Sequence, residues 1–254
     1  MHEIEMSEIN KEFAMCWKAA GIHIQNQAQG GLRSWLKADL NPPFLEHLSF
    51  RLGNQLFFVR IIDVDKQLKT PGNPEGLKMI ADACKGHACF MPMQKINDQW
   101  VAVENGWGLV NTQYIHINPI ELITEDKVVM TNWELQDFAV QIVRDSLVEQ
   151  GKELTSWHGN PDVHPSIWFV GENGLEWVLV KAIRWPETDC EIPENINDIS
   201  DGVKRVAQQG HFAAVKVANA NDPFDPMAKV NGNFIQLYRG EKLSASYKGL
   251  VDIS

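Results

Sequence analysis

Apolar positions along the chain change period several times, and each change marks an element. Ile9, Phe13, Cys16, Trp17 and Ala20 recur at helical spacing after Ser7, which predicts a first helix from Ser7 to a stop at Gly21. Polar residues through Gln25, Gln27, Gly30 and Gly31 lead to Trp35, and Pro42-Pro43 forbids helix beyond it. Alternation then takes over at 49–52 and 55–62, a β-hairpin turning at Gly53-Asn54. A second helix is capped by Asn73, opened by Pro74, striped by Leu77, Ile80, Ala81 and Cys84, and stopped by a left-handed Gly86. Strands are expected at about 87–93, 100–104 and 107–111, the last two joined across Asn105-Gly106.

The second half reads in the same order. Thr131-Asn-Trp-Glu134 is a capping box, followed by a helical stripe of Leu135, Phe138, Ala139 and Ile142 that Gly151 closes. Strands are expected at about 166–171 and 175–184, turning at Glu172-Asn-Gly174. Ile199, Gly202, Val203 and Val206 mark a crossover helix, and strands at about 211–218, 234–238 and 242–248 follow.

The residues themselves echo. Leu32-Arg-Ser-Trp35 returns as Leu154-Thr-Ser-Trp157, and Glu12-Phe-Ala14 as Asp137-Phe-Ala139. The run from Gln55 to Ile62 returns from Glu176 to Ile183, and Gly86-His87 as Gly210-His211. Order is kept, at offsets of 122, 125, 121 and 124 residues. A constant order and offset is the signature of a tandem duplication. The expectation is an α+β protein: two α-β-β-α-β-β-β units, mainly antiparallel sheets with helices on one face, and a pseudo-two-fold arrangement. Its boundaries fall at 1–118 for the first repeat, 119–130 for a connector and 131–254 for the second. Strands apolar on both faces, such as 56–62 and 175–183, also ask for cover on both sides.

Composition narrows the function classes. With 254 residues and 44% hydrophobic content, the chain can bury a core without disulfides or a metal. A net charge of −10 makes nucleic acid an improbable partner, because a phosphate footprint needs clustered Lys and Arg. The best basic material, Arg33, Lys37, Arg51 and Arg60, is interrupted by Asp39 and Glu46. Four unpaired-looking cysteines, an acidic start and the lack of a long apolar run predict a cytoplasmic protein that is not in a membrane.

Several residues are candidates for chemistry, each with a plainer reading beside it. Arg60 and Lys181 sit inside apolar strands, on the face that carries Leu56, Phe58 and Ile62 or Trp177, Leu179 and Ile183. They read either as matched ligand contacts, one per repeat, or as long side chains that snorkel or pair internally. Glu176 and Lys181 are five apart, on opposite faces, so they lack the acid-x-lysine geometry of a restriction-type nuclease. His87 and Cys89 share a face and resemble a nucleophile pair, but repeat two has Ala213 in the thiol's place. His158, Asp162 and His164 lie in one loop and are metal-ligand types, although their spacing matches no closed zinc motif. Asn219, Asn221, Asp222 and Asp225 read as a structured turn.

The helix-hairpin-helix-strand order is similar to that of secretion-chaperone-like folds, small acidic proteins that dimerise and bind partner segments. That resemblance implies a partner surface at a strand edge or sheet face near Trp157, Trp168 and Trp177. The sequence thus leads to a non-catalytic, cytosolic binding or adaptor protein for a protein or peptide partner, with its site between or across the two repeats and no cofactor. The alternative is a hydrolase with its site in the cleft between the repeats, using His158, Asp162 and His164 with a metal, or His87 with Cys89.

Overall fold

A computed structural model of the chain describes residues 11–28, 35–37, 47–70, 72–172, 174–207 and 209–253. The molecule is α+β, with two mixed sheets and five helices among the described residues. It divides into two compact units, Met1–Asp126 and Lys127–Ser254.

The first unit runs α1 (Lys11–Gln27), β1 (Trp35–Lys37), β2 (Leu48–Leu52), β3 (Gln55–Asp63), α2 (Pro74–Ala83), β4 (His87–Ile96), β5 (Gln99–Ala102), β6 (Leu109–Asn111) and β7 (His116–Ile117), then a 3-10 turn at Pro119–Leu122. Its sheet order is β1-β2-β3-β4-β6-β7, with β5 also on β4. All pairs are antiparallel except β3 with β4. That pair is parallel because the chain crosses over through α2 between them.

The expected helix start at Ser7 lies outside the described residues. Its expected stop does not hold: α1 runs through Gly21, which is buried, and on to Gln27. Ala20 and Ile24 on the same buried face carry the helix past the glycine, whose penalty in a helix is only about 1 kcal/mol. Asn73 caps α2, its side chain accepting from the Gly76 N–H at 2.6 Å. Lys85, not Gly86, takes the left-handed conformation at the helix end, with φ of 49°. Gly86 is required for closeness instead, since a Cβ there would stand 2.9 Å from Phe58 Cε2 and 3.0 Å from Leu56 Cβ. β4 turns into β5 at Asn97-Asp98, both with positive φ, and β5 and β6 each pair with β4 rather than with one another.

Helices cover both faces of this sheet, not one. Phe13, Trp17, Ala20 and Ile24 of α1 share a core with Phe57, Val59 and Ile61 of β3 and Met91 and Met93 of β4. Leu56 and Phe58 point the other way, and α2 packs against β3 and β4 on that side. Asn54, 7% exposed, fastens the later connector: its amide donates to Thr124 Oγ1 and Asp126 O, while its oxygen accepts from Thr124 N.

The second unit runs α3 (Asn132–Glu149), β8 (Glu153–Trp157), β9 (Ile167–Gly171), β10 (Gly174–Arg184), α4 (Ile196–Val203), β11 (Gln209–Asn219), α5 (Pro226–Asn231), β12 (Leu243–Tyr247) and β13 (Val251–Ile253). Its order is β12-β11-β10-β9-β8, with β13 also on β11, and β10 with β11 is the one parallel pair. One core packs Leu135, Ala139, Val140 and Val143 of α3 on Val178, Val180 and Val215. Another packs Ile196, Ile199 and Val203 of α4 on Trp177, Leu179 and Phe212, the opposite face. The expected strand at 234–238 reduces to a bridge between Val129 and Tyr238, and β13 takes its place in the sheet. The turn at 219–225 does form: Asn219 Oδ1 accepts from Asn221 N, and Asp222 Oδ2 from Ile235 N. Asp225 caps α5, which was not expected.

Four strands of each unit pair in corresponding register. Trp35 faces Phe50, Phe50 faces Phe57, and Phe57 faces His87. In the second unit Trp157 faces Ile167, Ile167 faces Val178, and Val178 faces His211. The edge strands β1 and β8, unrecognised by alternation, each carry a register shift. A bulge scrambles the two-residue period by which strands are read.

Candidate functional site

The two strand cations reach into the connection that follows their strand. Arg60 Nη2 donates to Thr70 O (3.3 Å), Thr70 Oγ1 (3.0 Å) and Gly72 O (2.8 Å). Lys181 Nζ donates to Asp189 Oδ2 at 2.9 Å and Glu191 O at 3.3 Å. Both side chains are half-buried, and both tie the segment leading to the crossover helix back onto the sheet. The plainer reading, internal pairing, therefore describes much of what they do. The Asp189 carboxyl is held below the usual range, first by the Glu191 backbone N–H and then by Lys181.

Beside Arg60 the first unit opens into a cavity of about 480 Å³. Its floor is sheet: Arg60 and Ile62 of β3 and Phe90 of β4. The N-terminal turns of α2 supply Glu75 and Lys78 on one wall, and Thr112 and Tyr114 stand on the other. Tyr114 is built into position. It has a φ of 61°, a conformation that non-glycine residues seldom adopt, and its ring lies 5.7 Å from that of Phe90. Asn111 holds the turn: its side-chain oxygen accepts from Gln113 N and Ile115 N, and its backbone from Tyr114 N at 3.0 Å. Strain of this kind, of order 1 kcal/mol, persists where the surroundings over-determine it and collects at binding sites. The volume falls within the range of small-ligand sites.

The strand-entry histidines form a second matched pair. His87 Nε2 lies 3.0 Å from Gln55 Oε1, and its ring stacks on Phe57 at 5.0 Å. His211 Nε2 lies 2.8 Å from Glu176 Oε2, the residue that corresponds to Gln55, and its Nδ1 lies 2.9 Å from Asp252 Oδ1. Carboxylate oxygens thus stand against both ring nitrogens of His211. His211 and Glu176 are buried, while Asp252 opens to solvent.

Cys89 does not meet the His87 ring. Its thiol is buried and lies 3.7 Å from the His87 carbonyl, and burial pushes it up to about 12. A thiol so placed is no thiolate at neutral pH. In the loop of His158, Asp162 and His164, the histidine and asparagine side chains serve the backbone. His158 Nδ1 accepts from Asn160 N, and Asn160 Oδ1 from Asp162 N. Burial lowers the His164 pKa. Among the described residues no group of three or more His, Cys, Asp and Glu is placed to hold a metal. Glu176 and Lys181 lie on opposite faces of β10, as alternation requires.

Of the three tryptophans expected at a partner surface, Trp177 is interior. Trp177 is 1% exposed in the α4-side core, with Gly210 close against its indole. Trp157 and Trp168 are half-buried, and the Arg144 guanidinium lies over the Trp157 ring at 5.4 Å. Among the described residues Tyr114 is an exposed aromatic, at 65%. Sequence reasoning missed it, and only its place three residues after a strand-ending, turn-forming asparagine hinted at a role.

No helix among the described residues is long and apolar enough to cross a membrane. No curated protein and no solved structure matches the chain. Residues 133–253, all within the second unit, match the family described as "Domain of unknown function (DUF8840)".

Proposed function

We propose that the protein is a non-catalytic cytosolic binding or adaptor protein, made by tandem duplication of one α+β unit, whose first unit takes a segment of a protein or peptide partner. The observation that carries this reading is the cavity beside Arg60, with Tyr114 held in a strained conformation at its edge. Rigid aromatic anchors next to a fixed cation are the usual hot spots of recognition. Duplication is supported by the corresponding register of the four strands in each unit and by the matched Arg60 and Lys181. After duplication one copy of a site can keep a ligand while the other turns structural. Lys181, engaged by a carboxylate of its own chain, fits the structural outcome.

The hydrolase alternative finds less support. A thiol pushed up to about 12 is a poor nucleophile, and in the His158 loop the His158 Nδ1 and the Asn160 side chain accept from the loop's own backbone. The test is capture of partners from extract by the full-length protein, wild type beside Lys78→Met/Tyr114→Ala. Partners held by the wild type and lost by the variant are expected. Equal capture by both proteins removes the cavity as the binding site.

A further inference from the structure

We infer that the first unit seats an uncharged aromatic side chain, carried on a turn of the partner polypeptide, in its cavity and on an apolar shelf beside it. The inference deepens the binding reading above and rests on it.

The shelf is sheet. α2 packs on β3 and β4, and the same face continues past the helix onto β5. There Ile62 of β3 faces Pro92 of β4, and Pro92 O accepts from Val103 N at 2.9 Å, just past β5. Val101 faces Gln94 on this face, and Val64 follows Ile62 on it by alternation. Ile62 also lines the cavity, so cavity and shelf are continuous. Val64, Val101 and Val103 are exposed. Apolar side chains gathered on an open face beside a cavity mark a place for a partner.

The second unit holds the corresponding place covered. Trp185 N donates to Val217 O at 2.9 Å as Val64 N donates to Met93 O at 3.1 Å, each one residue past its parallel strand pair. Trp185 is 7% exposed and Val64 39%. Phe224 meets the Trp185 ring edge-on at 5.8 Å, with a φ of 59° in the turn that Asn219, Asp222 and Asp225 build. That turn lies between β11 and β12. The link between β4 and β5 is Asn97-Asp98 alone, too short to reach back over the face. β12 also carries Ser244 and Ser246, opposite Ala218 and Lys216, at the register positions of Val101 and Val103. The unit that brings its own phenylalanine has a polar strand beside it, and the unit without one has an apolar strand.

Charge and shape define the side chain. Glu75 and Lys78, one turn apart on α2, bring opposite charges to the cavity wall. Arg60 is engaged by Thr70, Gly72 and a further interaction within its own chain. The wall charges offset one another, so an uncharged tip fits best. Phe90 and Tyr114, tilted at 5.7 Å, offer a ring face and a ring edge to a third ring. About 480 Å³ takes one large side chain with its turn rather than a whole element.

The test is a fluorescence titration of the full-length protein with three labelled, end-capped peptides that copy residues 221–227. They carry phenylalanine, alanine or glutamate at the position of Phe224. The phenylalanine peptide is expected to bind about tenfold or more tighter than either of the others, the scale of burying one aromatic ring. Val103→Ser gives the shelf the residue type of β12, and Tyr114→Asn removes the ring with a residue that tolerates positive φ. Both side chains are exposed, so the fold is kept, and each variant is expected to lose most of the preference. Equal binding of the phenylalanine and alanine peptides overturns the aromatic inference and leaves the binding reading standing. Glutamate bound as tightly as phenylalanine overturns it too, since the cavity then does not select an uncharged tip. A preference that persists in both variants places the ring elsewhere and overturns it. If none of the three binds, the inference falls, and partner capture decides the broader reading by itself.

Discussion

A single charged residue inside an apolar strand is the most ambiguous sign in this chain, and its meaning depends on the partner it finds. Arg60 and Lys181 occupy one register position; Thr70 and Gly72 accept from Arg60, and Asp189 stands against Lys181. The carboxyl of Asp189 is depressed, so its contribution is complete above the ordinary aspartate range and is lost as pH falls through the lowered value. The Glu191 N–H is the larger cause and Lys181 the next. In Lys181→Met the Asp189 titration, followed by the carboxyl carbon shift, should therefore move part of the way back towards the ordinary range. A midpoint that does not move would mean that Lys181 has no hold on this loop. The histidines teach the same lesson. His87 and His211 open corresponding strands, but an amide faces one and two carboxylates face the other.

At the scale of elements, packing overrules the local signals. Gly21 reads as a stop and is crossed, because the buried stripe of α1 continues to Ile24. Gly86 reads as a cap and is a contact, admitting Phe58 and Leu56. The start of α3 shows a local signal drawn into a larger structure. Glu134 completes the capping box with Thr131 and also forms a two-bond pair with Arg239, at 2.9 Å for each bond, with both side chains 1% exposed. Arg239 lies just past Tyr238, which bridges to Val129, so the pair fastens the helix start to that segment. Removing one partner leaves a buried charge without its counter-charge, which costs about 3–5 kcal/mol. Glu134→Gln should lower the stability of the second unit by that order in urea unfolding. A loss below about 1 kcal/mol would show that water reaches Arg239. The capping box was legible in sequence; its long-range partner, 105 residues away, was not.

For the whole molecule, each unit has its own closed core, with helices on both sheet faces. Units of this length bury enough apolar surface to fold alone. Residues 127–254, expressed separately, should unfold in one cooperative transition and keep their near-ultraviolet circular dichroism. A molten or aggregated product would show that the second core depends on the first unit. The match of residues 133–253 to one family agrees with a unit that stands as a domain.

By itself the sequence determined helices α1 to α4 and strands β2 to β6 and β9 to β12, though not α5, β1, β7, β8 or β13, together with the hairpin at Gly53-Asn54, the caps at Asn73 and Thr131, and the positions that echo between the halves. These are short-range matters, set by period, capping and turn chemistry within a few residues. Tertiary structure decided the rest. Parallel pairing of β3 with β4 and β10 with β11, the burial of Trp177 and the cavity of Arg60, Phe90 and Tyr114 all join residues distant in sequence. Which distant groups meet is settled by the packing of whole elements, and the periodicity of one segment holds no record of the segment across from it.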